Sequence, residues 1–237
     1  SGLSMAREPR LLRQRFEEQL RTIIQARSVT VRETPPDLAC PPAVVSVDLP
    51  SAPWATPARL EASFDPAHTQ VEFSAKHMMF TTVRGTFSGV TGTIVVDEEN
   101  PDRSSVEVEI DASTIDTRVE DRDTHLRSGD FLDVENHPEI TFRSRRVEGA
   151  HVDAGDEFRV IGDLTIRGTT KEVTLAARFE GTGIDPWGGE RAGFSARTKI
   201  DRREWGLKWN QVLEAGGVLV GNDITIDIQA QAVAGKE

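Results

Sequence analysis

Four residues carry chemistry that a polar ligand group would need. Arg122, His125 and Arg127 crowd one short stretch between two extended segments. A guanidinium fork meets a pyrophosphate in bidentate geometry. Asp121, Asp123 and Asp130 stand among them, so a self-paired structural loop is the competing reading of the same stretch. His77 is the fourth. It shares the parity of Val71, Phe73 and Ala75, which aims it inward near a strand end. There it serves a ligand head group, or it is a buried histidine whose hydrogen bonds its neighbours satisfy.

Other site chemistries find no support in the residue pattern. His125, His137, Asp130 and Asp133 form a ligand-rich stretch, but their spacing is not that of a metal site, and no metal is expected. There is no Gly-x-Ser-x-Gly elbow to present a nucleophile. Cys40, between Ala39 and Pro41, lacks the surroundings that activate a thiol. Gly188-Gly189 and Gly216-Gly217 read as turns, since no Lys-Ser/Thr and helix follow them. No catalytic residue is assigned, and the balance leans away from an enzyme.

The elements that must position these residues are strands. From Asp65 to Val233, short runs of apolar and polar residues alternate between Gly, Asp and Asn punctuation. Eight strands are predicted, each with one apolar parity. The first carries Phe73 and Ala75. The second carries Phe87 and, after a phase shift near Ser88-Gly89 that resembles a β-bulge, Ile94. Val108 and Phe142 mark the third and fourth, Phe158 and Leu164 the fifth, Leu175 the sixth. Phe194 and Ala196 mark the seventh, and Ile226 the eighth. An even number of strands in meander order predicts an all-β, eight-stranded antiparallel up-and-down (lipocalin-like) barrel, whose inward positions line a cavity or fill it. Between strands seven and eight, Trp205 and Trp209 suit a lid over an apolar ligand, and equally a plug of ordinary core.

Residues 1–60 read as a separate appendage to a barrel over 61–237. Leu12, Phe16, Leu20, Ile23 and Ile24 make one stripe of an amphipathic helix, which needs the barrel or a second copy in a homodimer to bury it. Seven of the twelve prolines fall between Thr34 and Pro57, as in an extended strap or linker. The chain's net charge is −11. Residues 1–60 hold 8 Lys/Arg and 6 Asp/Glu, so +2, and the remainder holds 20 and 33, so −13. An acidic barrel repels nucleic acid phosphates and gains nothing from anionic lipid headgroups, although apolar contact with a membrane stays open. No apolar run is long enough for a transmembrane helix. Arg7, Arg10, Arg13 and Arg15 precede a charged amphipathic pattern, not the apolar core of a signal peptide, and a cytoplasmic location is expected.

Five stretches now stand in order: Phe64 to Phe73 followed by Lys76-His77, Ser113-Thr114-Ile115-Asp116-Thr117, Arg122 to Leu132, Gly162 to Lys171, and Asp201-Arg202-Arg203-Glu204-Trp205-Gly206. Together they closely resemble the YceI-like family of lipocalin-resembling, polyisoprenoid-binding proteins over residues 64–233. The resemblance implies a barrel tunnel around a long isoprenoid chain, with no cofactor beyond such a lipid and no agreed catalytic residues. It implies an apolar small molecule or lipid as partner, an isoprenoid quinone or prenyl diphosphate being the leading expectation. The other reading makes the cavity a chamber that cyclises or isomerises a folded chain by confinement. Three departures stand out. Many relatives are exported, residues 1–60 lie outside the resemblance, and Arg167 stands where many relatives have His.

Overall fold

The computed structural model describes residues 59–97, 99–150, 154–212 and 218–234. The amphipathic helix and the proline-rich strap read from the sequence lie outside them. Within the described residues the strands are β1 (Arg59–Phe64), β2 (Gln70–His77), β3 (Thr81–Phe87), β4 (Val90–Asp97), β5 (Ser105–Asp111), β6 (Glu139–Glu148), β7 (Glu157–Ile166), β8 (Thr169–Ile184), β9 (Glu190–Asp201) and β10 (Val220–Ala234). A two-turn helix, α1 (Glu120–Arg127), lies between β5 and β6. The residue pattern alone predicts a loop there.

These ten segments build eight barrel strands. β1 and β2 lie end to end along β10, β1 against residues 232–234 and β2 against 220–229. β3 and β4 return antiparallel to them, β3 on β2 and β4 on β1. The remaining strands follow in chain order, and the β1–β10 pairing closes the sheet. The expected eight-stranded up-and-down barrel is therefore the fold. Closure pairs β1 and β10, edges that an open sheet would leave bare, while β3 ends the strand order with β2 as its strand partner and a single bridge from Thr86 to Asp116 on its other side.

Both interruptions have local causes. Ser88-Gly89 separates β3 from β4, at the position of the phase shift. Between β1 and β2, Asp65 Oδ1 accepts the Ala67 N–H at 3.0 Å and the Asp65 carbonyl accepts the His68 N–H at 3.1 Å, with Pro66 inside the turn. That turn separates β1 from the alternation that begins at Val71. The boundary set at residues 60 and 61 falls inside β1.

Antiparallel order puts four connections at one end, here called upper: the β2–β3 turn, the segment bearing α1, the β7–β8 turn and residues 202–219. In the β2–β3 turn Met78 and Met79 have φ of 50° and 70°, and the Phe80 N–H reaches the His77 carbonyl at 3.3 Å. A turn with both central residues left-handed favours Asn-Gly, and each bulkier residue costs roughly 1–2 kcal/mol there. The inward parity of every strand feeds one apolar core, from Val71 and Phe87 through Phe142 and Leu164 to Ile200.

Candidate functional site

Register places the inward side chains in layers around the barrel. One layer runs Phe87, Val71, Ile228, Ala196, Ala177, Phe158 through five successive strand pairings. The next layer toward the upper end holds Gly85, Phe73, Ile226 and Thr198, and the one above it Val83, Ala75, Ile224 and Ile200. Across the barrel, Val108, Phe142 and Leu164 form a row, with Ile94 opposite Val106 beside it. Phe194 faces Phe179 nearer the lower end, ring centroids 5.4 Å apart. The twelve strand residues assigned from sequence to the tunnel thus share the inner face.

Packing within that face is uneven. Phe142, Leu164 and Phe87 are buried, yet Phe73, Val108, Phe158, Leu175, Ala196 and Ile226 keep accessible surface while packing against the core. Ile226 shares the parity of Ile224 and Ile228 and stands in register with inward Phe73 and Thr198, so its side chain lies on the inner face. An inward side chain in a closed barrel stays accessible only beside interior space. Two glycines do not contribute that space. A Cβ on Gly85 would come within 2.5 Å of Phe73 Cζ, and one on Gly162 within 2.7 Å of Phe142 Cζ, so both glycines seat phenyl rings. A cavity of about 580 Å³ lies along β7–β10, lined by residues of both parities: Phe158, Ala177, Ala196 and Ile228 of the inner layer, with Arg159, Ser195 and Arg197 beside them. Its arginines pair with Glu148 at 2.8 Å and Asp227 at 3.0 Å, leaving a mixed-charge surface.

The upper end is plugged. Trp205 is 2% exposed and its indole N–H donates to the Leu164 carbonyl at 3.0 Å, the arrangement a buried indole requires. His125 stands edge-on to Phe131 and to Trp209, centroids 5.0 and 4.6 Å away, and its Nε2 lies 3.0 Å from Asp130 Oδ2. The two tryptophans therefore separate in role: Trp205 is core, and Trp209 belongs to a half-buried aromatic cluster with His125.

The charged head-group candidates are held by their own segment. Arg122 donates to Thr117 Oγ1 at 2.7 Å and to the Thr117 carbonyl at 2.8 Å. Arg127 donates to the carbonyls of Ser113 and Ile115, both at 3.0 Å. Buried Asp123 accepts the Thr117 N–H and hydroxyl, so α1 is pinned to residues 113–117 from three sides. His77, half-buried at the end of β2, pairs in register with Thr81 and Val220. The structure thus puts His77, His125 and the two arginines in three different settings. Among the described residues no group of three or more His, Cys, Asp or Glu is placed to hold a metal ion.

Arg202 was not singled out from the sequence. It is 3% exposed, and its guanidinium donates to the carbonyls of Leu207, Trp209, Gly221 and Val220, the Trp209 and Gly221 contacts at 2.9 and 3.0 Å. Burial pushes its pKa down, although a guanidinium stays charged. It ties the segment bearing Trp205 and Trp209 to the start of β10. The signal was the Asp201–Gly206 stretch, where an Arg adjoins a strand end and a Trp.

Residues 63–232 match the YceI-like domain. The chain belongs to the YceI-like family. It is 43% identical over 141 residues to Protein YceI of Escherichia coli O157:H7, covering 60% of this chain and 72% of that one. Among solved structures, this YceI-like barrel is similar to BcnA of Burkholderia cenocepacia, with a TM-score of 0.61 and 20% identity over 71% of this chain and 98% of that one. It is also similar to a polyisoprenoid binding domain from Saccharophagus degradans implicated in plant cell wall breakdown. There the TM-score is 0.57 and the identity 13%, over 74% of this chain and 99% of that one. At such identities the likeness to both structures is one of fold. Among the described residues no helix is long and apolar enough to cross a membrane.

Proposed function

We propose that this YceI-like barrel carries a long isoprenoid chain in its interior, tail along the β9–β10–β2 wall. The observation that carries the reading is the row of partly accessible apolar side chains on the inner face, with Phe73, Ala196, Ile226 and Ile228 at its centre. Such surface is stabilised by a partner. At about 25 cal/mol per Å², covering about 500 Å² of apolar tail contributes on the order of 12 kcal/mol gross, before the costs of association. The name of the Saccharophagus degradans domain supports the same ligand class. Because Arg122 and Arg127 already donate to chain carbonyls, a neutral quinone-type head group suits the upper end better than a diphosphate.

The test is organic extraction of the purified protein followed by mass spectrometry. The expected result is roughly one isoprenoid chain per barrel, lost when Ile226→Trp fills the interior. A folded protein that yields no isoprenoid, from a host that makes them, overturns the reading.

A further inference from the structure

Each end of the barrel pushes large apolar side chains into solvent at a hairpin tip. At the upper end Met79 and Phe80 are 61% and 73% exposed, beside Met78; at the lower end Ile184 and Trp187 are 72% and 87% exposed. Their charge settings are opposite. From Ala75 to Arg84 the upper hairpin carries Lys76, His77 and Arg84 and no carboxylate; Arg84 pairs with Glu72 at 3.4 Å, which leaves Lys76 as the cation nearest the tip. From Glu180 to Glu190 the lower one carries Glu180, Asp185 and Glu190, of which Asp185 pairs with the adjoining Arg191 at 2.8 Å. On a chain of net charge −11 the upper tip is a local exception.

The upper tip also holds a backbone its residues resist. Met78 and Met79 both sit at positive φ, where Asn-Gly would relax the turn and bring no apolar surface. Strain of this kind persists where something else requires the residues. The Met78 N–H donates to the Leu219 carbonyl at 2.8 Å, which fixes the tip beside the Val212–Val218 bridge, and Val212 is itself 80% exposed. The apolar surface is thus a fixed projection from the barrel's upper end.

We propose that the Met78–Phe80 tip docks the protein on an anionic phospholipid bilayer. Met78, Met79 and Phe80 enter the interfacial layer, and Lys76 meets the lipid phosphates. Lys76 Nζ, 2.9 Å from Thr82 Oγ1, lies on the same hairpin and reaches toward headgroups as long cationic side chains do. Docking brings the upper end of the barrel to the phase in which isoprenoid chains dissolve. That purpose rests on the carrier reading; the docking itself does not.

The test titrates the full chain with vesicles of equal parts phosphatidylglycerol and phosphatidylcholine, and with phosphatidylcholine alone, reading the bound fraction by co-sedimentation. Binding is expected on the anionic vesicles, weaker on the neutral ones and weaker again at high salt. The variant Met78→Asn/Met79→Gly relaxes the turn, so it should unfold no more readily than the parent while binding anionic vesicles at least about tenfold more weakly. Phe80→Ser should bind about tenfold more weakly as well. Trp187→Ala should bind like the parent. The proposal is overturned by a parent protein that ignores anionic vesicles, by tip variants that bind as the parent does, or by an equal loss in Trp187→Ala. It is also overturned if the tip drives self-association, seen by sedimentation and abolished in the tip variants, with no vesicle binding. Lipid extraction reads the carrier function separately, so either idea can fail alone.

Discussion

The β6–β7 wall and the β10–β2 wall face each other across the barrel and are packed differently. On the first, Ile140, Phe142, Val147, Val160, Leu164 and Ile166 are all buried. On the second, Ile224, Ile226, Ile228 and Phe73 keep accessible surface, although each lies between two paired strands. The alternation in sequence is the same on both. Both walls seat a phenyl ring on a glycine, Phe142 on Gly162 and Phe73 on Gly85; what differs is that Trp205 caps Leu164 on the first, whereas Ile226 has Thr198 and Phe73 as register neighbours. Parity reports the direction of a side chain. It does not report whether anything fills the space ahead of it.

Truncation should separate the two walls. Phe142→Ala is expected to cost about 3–5 kcal/mol in urea unfolding, because it empties a close-packed seat over Gly162. A loss as small as that of Ile226→Ala, expected at about 1–2 kcal/mol, would erase the contrast between the walls. Next in size is the tie at the upper end. Arg202→Met leaves several buried carbonyls without donors and should cost about 3 kcal/mol, with hydrogen exchange rising first at residues 207–209. Enlarging residues sharpens the comparison. Val147→Trp on the dense wall should destabilise by about 1–3 kcal/mol, and Ile226→Trp by less, while only the second expels bound lipid.

The smallest effect concerns acid. Hydrogen bonds from His68, from Arg191 and from the Ala67 N–H hold the Asp65 carboxyl down at about 2. The native state therefore binds this proton less readily than the unfolded chain. The stabilisation is present in full above the ordinary value of 3.8 and is lost as pH falls through about 2. In Asp65→Asn the part of the acid-unfolding slope that lies between those values should flatten. An unchanged slope would place that dependence on other carboxylates, of which Asp201, held at about 2 chiefly by Arg203, is the first to examine.

Much of the barrel was legible in the chain because a half-wet sheet writes its period into the residues. The Ser88-Gly89 phase shift located a real interruption, and the strand residues assigned to the tunnel share the inner face. β1 was not legible. Its pairing partners are β4 and the end of β10, more than 160 residues away in the second case, and the Asp65–Thr69 turn breaks the pattern that would join it to β2. Arg122, His125 and Arg127 stand out in the chain as a cluster, with His77 apart from them, but a list of Arg, His and Asp cannot say which donors the chain uses for itself. The Thr117 and Ser113 carbonyls had already taken Arg122 and Arg127.

By itself the sequence determined an antiparallel sheet of eight strands, its inward faces, its acidic charge and its family. All of these depend on near neighbours in the chain or on ordered motifs. Tertiary structure decided closure through β1 and β10, the unequal packing of opposite walls, the division of labour between Trp205 and Trp209, and the burial of Arg202 among carbonyls. Each of these turns on which atoms meet across the barrel, and a closed sheet brings together residues that no local pattern connects.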